Sequence, residues 1–477
     1  MRNLTLMTDL YEITMLYGYF KSGMLERRAV FDMFYRRQGN MNYAVMAGNE
    51  QFKDYLENLR FDEEDIAYLR GLKLFDEAFL QYLSGLRFSC DVDMVPEGSI
   101  VYAGEPLVRV EGPLGQAQLI ETALLNLVGH QTLIASKANR VARAALGDRV
   151  MEFGLRRAQG PDAGIWGARA AVIGGCTSTS NTLAGKMFDI PVSGTHAHSW
   201  VMSFESELAA FRAYAAAYPD SCLLLVDTFD TLRSGVPNAI QVFRELKARG
   251  GTPRGIRLDS GDLAYLSRKA REMLDEAGFP DTIIVASNDL DEYLIRDLKL
   301  QGARIDLWGV GTKLITGGET PALGGVYKMS ALEENGTMMP KMKFSDNPEK
   351  VTLPGKKELY RVYDADGMAF ADLITLADEG MDESQPLTLF DPKNTWKRTT
   401  LTGYRLQKML QPFWRGERYV GPSLSVHDIS DYRAKQEKHI WEEQLRPVNP
   451  EPPKVDLSQT LWDLRHELLL KGGKEGA

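Results

Sequence analysis

Two imidazoles, His196 and His198, stand in the stretch Gly194-Thr195-His196-Ala197-His198-Ser199, between a short apolar run, Ile190-Pro191-Val192, and a helical pattern from Val201 to about Tyr218. A neutral imidazole at such a junction can accept a phosphoryl group and so split one transfer into two steps. Other short segments carry complementary chemistry. Gly309-Val310-Gly311-Thr312 and Ser287-Asn288-Asp289 offer backbone N–H groups and hydroxyls that suit phosphate. Arg156, Arg157 and Arg257 supply the planar cation suited to bidentate recognition of phosphate or carboxylate. Asp259 and Asp262, either side of Ser260-Gly261, suit diol hydroxyls, a water-bridged Mg²⁺ or a helix cap. Each segment alone has a plainer use as a turn, a cap, a salt bridge or a core histidine.

What gives these residues weight is the order of elements that must position them. From Val150 the chain repeats a short β-like run, a polar loop and a helix. The runs are 150–153, 177–180, 190–192, 222–226, 255–258, 283–286 and 306–309, with 326–329 as a possible eighth. Strands alternating with helices demand parallel pairing through right-handed crossovers, and about seven such units imply an incomplete parallel α/β barrel. In a parallel barrel all the loops that follow the strands gather on one rim, where such enzymes place their chemistry. The segments above, together with Ser180-Asn181 and Asp227-Thr228, all fall on that rim. That convergence argues for an enzyme more strongly than any single motif.

Before the barrel, an N-cap signal at Thr8-Asp9 opens a helix with Leu10, Ile13 and Tyr17 along one face and Tyr11 off it. Strands at 29–35 and 43–47 about a turn at Gly39-Asn40, three short helices up to Leu83, a β-rich stretch from Phe88 to Glu111 and a long helical run from Gln116 to Leu146 follow. After Ser330, β signals at 341–344, 358–363 and 370–376 return, separated by turns such as Asn347-Pro348, and they are expected to close a composite domain with the early β unit. The expected organisation is 1–115 as an N-terminal α+β domain, 116–330 as the barrel, 331–400 returning to the first domain, and 401–477 as a helical extension.

Composition bounds the partners. A chain of 477 residues exceeds the roughly 250–300 at which a single core stops growing, so several domains are expected. The net charge of −9 and the lack of a basic run exclude nucleic acid as an expected partner. No apolar stretch has the length of a membrane span and the N-terminus lacks a signal-peptide pattern, so no membrane partner is expected and the cytoplasm is the expected location. Cys90, Cys176 and Cys222, an odd number without C-x-x-C spacing, read as reduced and buried.

Taken together and in order, Thr8-Asp9-Leu10-Tyr11, Glu152-Phe153-Gly154-Leu155-Arg156-Arg157-Ala158-Gln159-Gly160, Gly194 to Ser199, Arg257 to Asp262, Ser287-Asn288-Asp289 and Gly309 to Thr312 resemble the nicotinate phosphoribosyltransferase family over nearly the whole chain. The resemblance implies a type II phosphoribosyltransferase fold, a seven-stranded barrel-like α/β domain plus a split α+β domain, working as a homodimer with sites at the subunit interface. It implies transfer of phosphoribose from phosphoribosyl pyrophosphate to nicotinate, coupled to ATP hydrolysis and dependent on Mg²⁺. By the same resemblance His198 is the phosphorylated histidine, while Tyr11 of a neighbouring subunit and Phe153 cover the two faces of the pyridine ring. Thr195 and Arg257 match positions that hold nicotinate. Arg156, Asp259, Ser287, Asn288, Gly311 and Thr312 match positions around the phosphoribosyl group, with Arg157 and Gly309 beside them.

The related nicotinamide enzyme carries an aspartate where Thr179-Ser180-Asn181-Thr182 stands here; neutral Asn181 spares a carboxylate substrate that repulsion. Two alternatives stay open on sequence: a nicotinamide- or quinolinate-using phosphoribosyltransferase, and a non-catalytic sensor of phosphorylated sugars.

Overall fold

The computed structural model describes residues 3–37, 39, 41–345 and 350–475. Asn40 and the turn expected at Asn347-Pro348 lie outside the described residues. The chain divides into two compact units: one holds the residues up to Leu133, Ala322–Leu424 and the residues from Asp431, the other Ile134–Pro321 and Ser425–Ser430. The division between the first unit and the barrel falls inside the helix Glu121–Ala144, not near residue 115.

The barrel unit is built on six parallel strands. They are β1 (Arg149–Glu152), β2 (Ser178–Thr179), β3 (Cys222–Leu225), β4 (Pro253–Leu258), β5 (Ile283–Asn288) and β6 (Leu307–Val310), in the order β2-β1-β6-β5-β4-β3. The run 190–192 contributes one parallel bridge, Val192 to Thr179, so the seventh strand is reduced to a single pairing. The expected eighth, 326–329, does not belong here. It lies in the strand Gly325–Glu334, antiparallel to Arg28–Tyr35 in the other unit.

Register explains how one face of this sheet becomes a site. Val285 pairs with Arg257 and Leu307, and Ser287 pairs with Gly309, which pairs with Met151. With a side-chain period of two, Val285 and Ser287, Leu307 and Gly309, and Met151 and Phe153 share one face. Met151, Leu223, Val285 and Leu307 form a buried apolar cluster on that face, with Phe153 packed against it. The next positions along the strands therefore stand as a polar layer above an apolar floor.

The other unit is mostly antiparallel. Among its described residues a seven-stranded sheet runs in the order Thr337–Pro340, Gly325–Glu334, Arg28–Tyr35, Val108–Pro113, Asp91–Met94, Gln411–Arg415, Arg418–Tyr419. A four-stranded sheet runs Arg405–Lys408, Lys357–Tyr363, Ala369–Leu376, Val455–Leu457. Segments from both ends of the chain thus share one unit. The region after residue 401, expected to be helical, supplies strands to both sheets before its final helix, Gln459–Glu475. The helix Leu10–Ser22 buries Glu12, Ile13 and Leu16, whereas Leu10, expected on the inward face, is 51% exposed beside Tyr11 at 46%. Among the described residues no helix is long and apolar enough to cross a membrane.

Candidate active site

Phe153 and Gly154 follow β1, and the Phe153 N–H donates to Val310 O at 2.8 Å. A Cβ on Gly309 would lie 2.8 Å from Phe153 Cδ2, so the missing side chain at 309 is the space the ring occupies. Gly154 is equally constrained, with Ile315 Cβ 2.5 Å from where its Cβ would stand. Glu152, fully buried, ties this turn to the next strand end. Its carboxylate accepts from Thr179 Oγ1 at 2.6 Å and from the Gly154 N–H, and burial raises its pKa against those two bonds.

Arg257 sits at the centre of the polar layer. Its Nε donates to Ser287 Oγ at 2.7 Å, Nη1 to Thr195 Oγ1 at 3.3 Å and Nη2 to Asp259 Oδ1 at 2.8 Å. The guanidinium carbon lies 5.7 Å from the centre of the Phe153 ring. Ser287 in turn donates its hydroxyl proton to Asp259 Oδ1. Burial opposes ionisation of Asp259, but the Ser287 hydrogen bond and the Arg257 charge outweigh it and hold the carboxyl below its usual range.

The two histidines separate cleanly. His198 opens the helix His198–Met202, half-exposed, with Nδ1 3.2 Å from Thr228 Oγ1 and Nε2 3.6 Å from Asp259 Oδ2. His196 is 7% exposed, its Nε2 accepts from the Leu225 N–H at 3.2 Å, and its ring meets Tyr214 edge-on at 4.7 Å. Burial drives its pKa down to about 4, so it is a neutral wedge against β3. The helical run expected from Val201 is broken into two helices, because Ser206 caps a second one at Glu207 by accepting from the Ala209 N–H.

Several expected residues are used differently from their neighbours. Asn181 is 2% exposed, and its side chain accepts from the Leu183 and Ala184 N–H groups at 3.1 Å each and donates to Gly164 O. It caps the helix Thr182–Phe188. Asp262 likewise caps the helix Leu263–Glu276 through the Tyr265 N–H, which leaves Asp259 as the carboxylate of the pair that faces Arg257 and His198. The helix that follows β5 starts at Glu292, capped by Asp291. Asn288 is exposed with φ +129°, a conformation that a non-glycine residue adopts at a cost. Arg156 and Arg157 are exposed on the turn Leu155–Arg157, and Gly311 and Thr312 open the short helix Thr312–Ile315 after β6.

Asp227 and Thr228 stand out in the structure, although on sequence they entered only as members of the rim. Asp227 Oδ2 accepts from the Asp259 N–H at 2.8 Å and from Ser260 Oγ at 2.6 Å, while its buried Oδ1 has no partner among the described residues. An aspartate closing β3 and followed by a hydroxyl was the available signal. Glu152 and Thr179 gave none, since a buried carboxylate inside a strand reads as an ordinary strand residue.

A parallel α/β sheet with a convergent polar layer at its strand ends, accompanied by a split, mostly antiparallel unit, is the type II phosphoribosyltransferase fold. The chain belongs to the nicotinate phosphoribosyltransferase family. The model of the family's N-terminal domain matches residues 6–129, that of the family itself residues 149–366, and that of its C-terminal domain residues 356–465. Nicotinate phosphoribosyltransferase from Bacillus subtilis is 49% identical over 463 residues, covering 96% of this chain and 94% of that protein. Nicotinate phosphoribosyltransferase 2 from Arabidopsis thaliana is 37% identical, covering 99% and 95%. The crystal structure of human nicotinic acid phosphoribosyltransferase superposes with a TM-score of 0.87 at 30% identity, covering 97% of this chain and 99% of that one.

Proposed function

We propose that this enzyme transfers the phosphoribosyl group of phosphoribosyl pyrophosphate to nicotinate, releasing pyrophosphate and forming nicotinate mononucleotide, with ATP hydrolysis coupled through His198. The observation that carries this reading is the linked set Thr195, Arg257, Ser287, Asp259 and His198 on one rim. Arg257 pairs with the nicotinate carboxylate, and Phe153 supports one face of the ring. Nitrogen of nicotinate bonds to the anomeric carbon as the carbon–oxygen bond to pyrophosphate breaks, through an oxocarbenium-like state. The ionised Asp259 stabilises that state, as a carboxylate does in glycoside hydrolysis.

Before transfer, His198 attacks the terminal phosphorus of ATP, releasing ADP, and hydrolysis of the phosphohistidine resets the site. Asp259 and the Thr228 hydroxyl orient the imidazole. Among the described residues no cluster of three or more His, Cys, Asp or Glu side chains is arranged to hold a metal alone. Mg²⁺ characteristically takes one or two carboxylates plus phosphate oxygens, and the unpartnered Asp227 Oδ1 with Asp259 fits that donor set. Bound there, the ion would neutralise charge on the departing pyrophosphate.

In this reading Arg156, Asn288, Gly311 and Thr312, which follow the strand ends of the same sheet, hold the phosphate of phosphoribose, with Arg157 beside them. Tyr11, Leu10 and Met15 expose one side of the first helix, at 46%, 51% and 38%, a surface suited to cover by a second copy that brings Tyr11 to the partner's pyridine site. Cys90, Cys176 and Cys222, all buried and none in a disulfide, suit a reducing compartment, in keeping with a cytoplasmic enzyme.

The test is consumption of phosphoribosyl pyrophosphate with nicotinate, nicotinamide or quinolinate, each with and without ATP. Nicotinate-dependent turnover raised by ATP is expected. Turnover with nicotinamide or quinolinate in its place would move the enzyme to a sister activity, and no turnover with any of them would leave a phosphosugar sensor.

A further inference from the structure

A second concave site lies within the split α+β unit and involves none of the rim residues. It is a cleft of about 720 Å³, inside the ~300–1,000 Å³ range of small-molecule sites. Arg37, Lys393, Lys397, Arg398 and Lys454 line it, and none of them forms a salt bridge among the described residues. Two of these cations are seated on aromatic walls, Lys454 Nζ 3.9 Å from the centre of the Phe370 ring and Arg398 5.3 Å from that of Phe390. Such seating pre-orients the charges without neutralising them.

Three carboxylates also line the cleft, and they are not equivalent. Asp391 is spent on its own turn, accepting from the Lys393 N–H at 2.8 Å, the Asn394 N–H at 2.9 Å and Asn394 Nδ2 at 3.1 Å. Glu451 is exposed. Asp456 is 6% exposed and its side chain accepts no hydrogen bond from a described residue. Beside it in the lining, Asn42 is 4% exposed; its Nδ2 donates to Gln444 O at 2.8 Å and Glu451 O at 2.9 Å. Two carbonyls on one atom settle the amide orientation and identify the remaining atom as Oδ1, which is buried without a partner among the described residues. The inner wall therefore holds one buried acceptor without a partner among the described residues, Asn42 Oδ1, beside the Asp456 carboxylate, and the outer wall carries more cations than carboxylates, in a chain whose net charge is −9.

We propose that this cleft binds a nucleoside phosphate whose base carries an exocyclic amine, with the amine directed at Asn42 Oδ1 and Asp456 and the phosphate at Lys393, Lys397, Arg398 and Lys454. An apolar anion would leave the acceptors unpaired, and a neutral amine would leave the cations unused; a nucleotide of the AMP type satisfies both walls. The site is separate from the rim and does not depend on the reaction proposed for it. It is suited to an effector.

Calorimetric titration of the full chain with AMP, IMP, adenosine and tripolyphosphate tests this, since AMP has no terminal phosphoryl group to pass to His198. AMP is expected to bind once per chain, with IMP and adenosine each weaker by about tenfold or more, the loss of one satisfied polar contact. Lys393→Glu/Lys454→Glu, a change at two exposed side chains whose unchanged melting temperature is checked alongside, should weaken AMP to a similar degree, and Arg257→Gln on the rim should leave AMP binding unchanged. Equal AMP affinity in the charge-reversed chain would overturn the site. IMP binding as tightly as AMP would overturn the amine assignment, and tripolyphosphate binding as tightly as AMP would reduce the cleft to a plain anion trap.

Discussion

Arg257→Lys isolates the geometry of the rim from its charge. The guanidinium spreads three donors over Ser287, Thr195 and Asp259, whereas an ammonium on a shorter head can keep one of those contacts at best. Loss of two charge-assisted hydrogen bonds, at about 1.5 kcal/mol each, comes to about 3 kcal/mol, or on the order of a hundredfold in kcat/KM for nicotinate. The charge near Asp259 survives in this variant, so its acid limb should stay low. In Arg257→Gln the charge is gone and Asp259 loses part of what depresses its pKa. A carboxyl with a depressed pKa stays ionised down through the ordinary aspartate range of about 3.9, so removing the cation should shift the acid limb of kcat/KM upward. The assay is a pH profile of kcat/KM for nicotinate and for phosphoribosyl pyrophosphate in both variants. If Arg257→Lys stays within threefold of wild type, or if only the phosphoribosyl pyrophosphate constant moves, the fork is not what holds nicotinate.

Four further outcomes follow from particular contacts. Incubation with γ-labelled ATP should give an acid-labile, base-stable label that His198→Ala abolishes and His196→Gln retains, because His196 is a buried wedge; loss of label in both would tie phosphorylation to the local fold. Gly309→Ala places a methyl 2.8 Å from Phe153 Cδ2, so the ring must move and KM for nicotinate should rise with little loss of thermal stability. Glu12, buried with its pKa raised to about 7, is bound by Gln118 Nε2 at 2.7 Å. A raised carboxyl pKa means that the folded state holds the extra proton, so stability declines as pH rises from about 4.5 to about 7. Glu12→Gln should flatten that slope and raise Tm at pH 8 by melting-curve measurement. Mixing Tyr11→Ala chains with His198→Ala chains should restore part of the activity through hybrid dimers; no restoration would mean that each site is built from one chain.

The chemistry of the rim was legible in the sequence because a parallel strand ends where its polar loop begins. Short apolar runs followed by Arg257-Leu258-Asp259, Ser287-Asn288 or Gly309-Val310-Gly311 announce both the strand and the face, since residues two apart along a strand point the same way. Elements whose identity rests on a distant partner were not legible. The run 326–329 has the composition of a barrel strand, but its partner, Arg28–Tyr35, lies about three hundred residues earlier, and only that pairing takes it out of the barrel. The strands after residue 401 are short pieces whose edges are satisfied by chain from elsewhere, Gln411–Arg415 against Asp91–Met94 and Arg405–Lys408 against Lys357–Tyr363.

The sequence by itself determined the parallel α/β class, the family and the rim segments, because each depends on residue type and local period. Tertiary structure decided which members of those segments meet. His196 and His198 are chemically alike and two residues apart; a backbone N–H of β3 claims one, and Thr228 with Asp259 claims the other. Asp259 and Asp262 are alike too, and the start of a helix takes Asp262 as its cap while Arg257 and Ser287 take Asp259. Burial and the nearest unsatisfied donor, neither of which is a local property of the chain, made those choices.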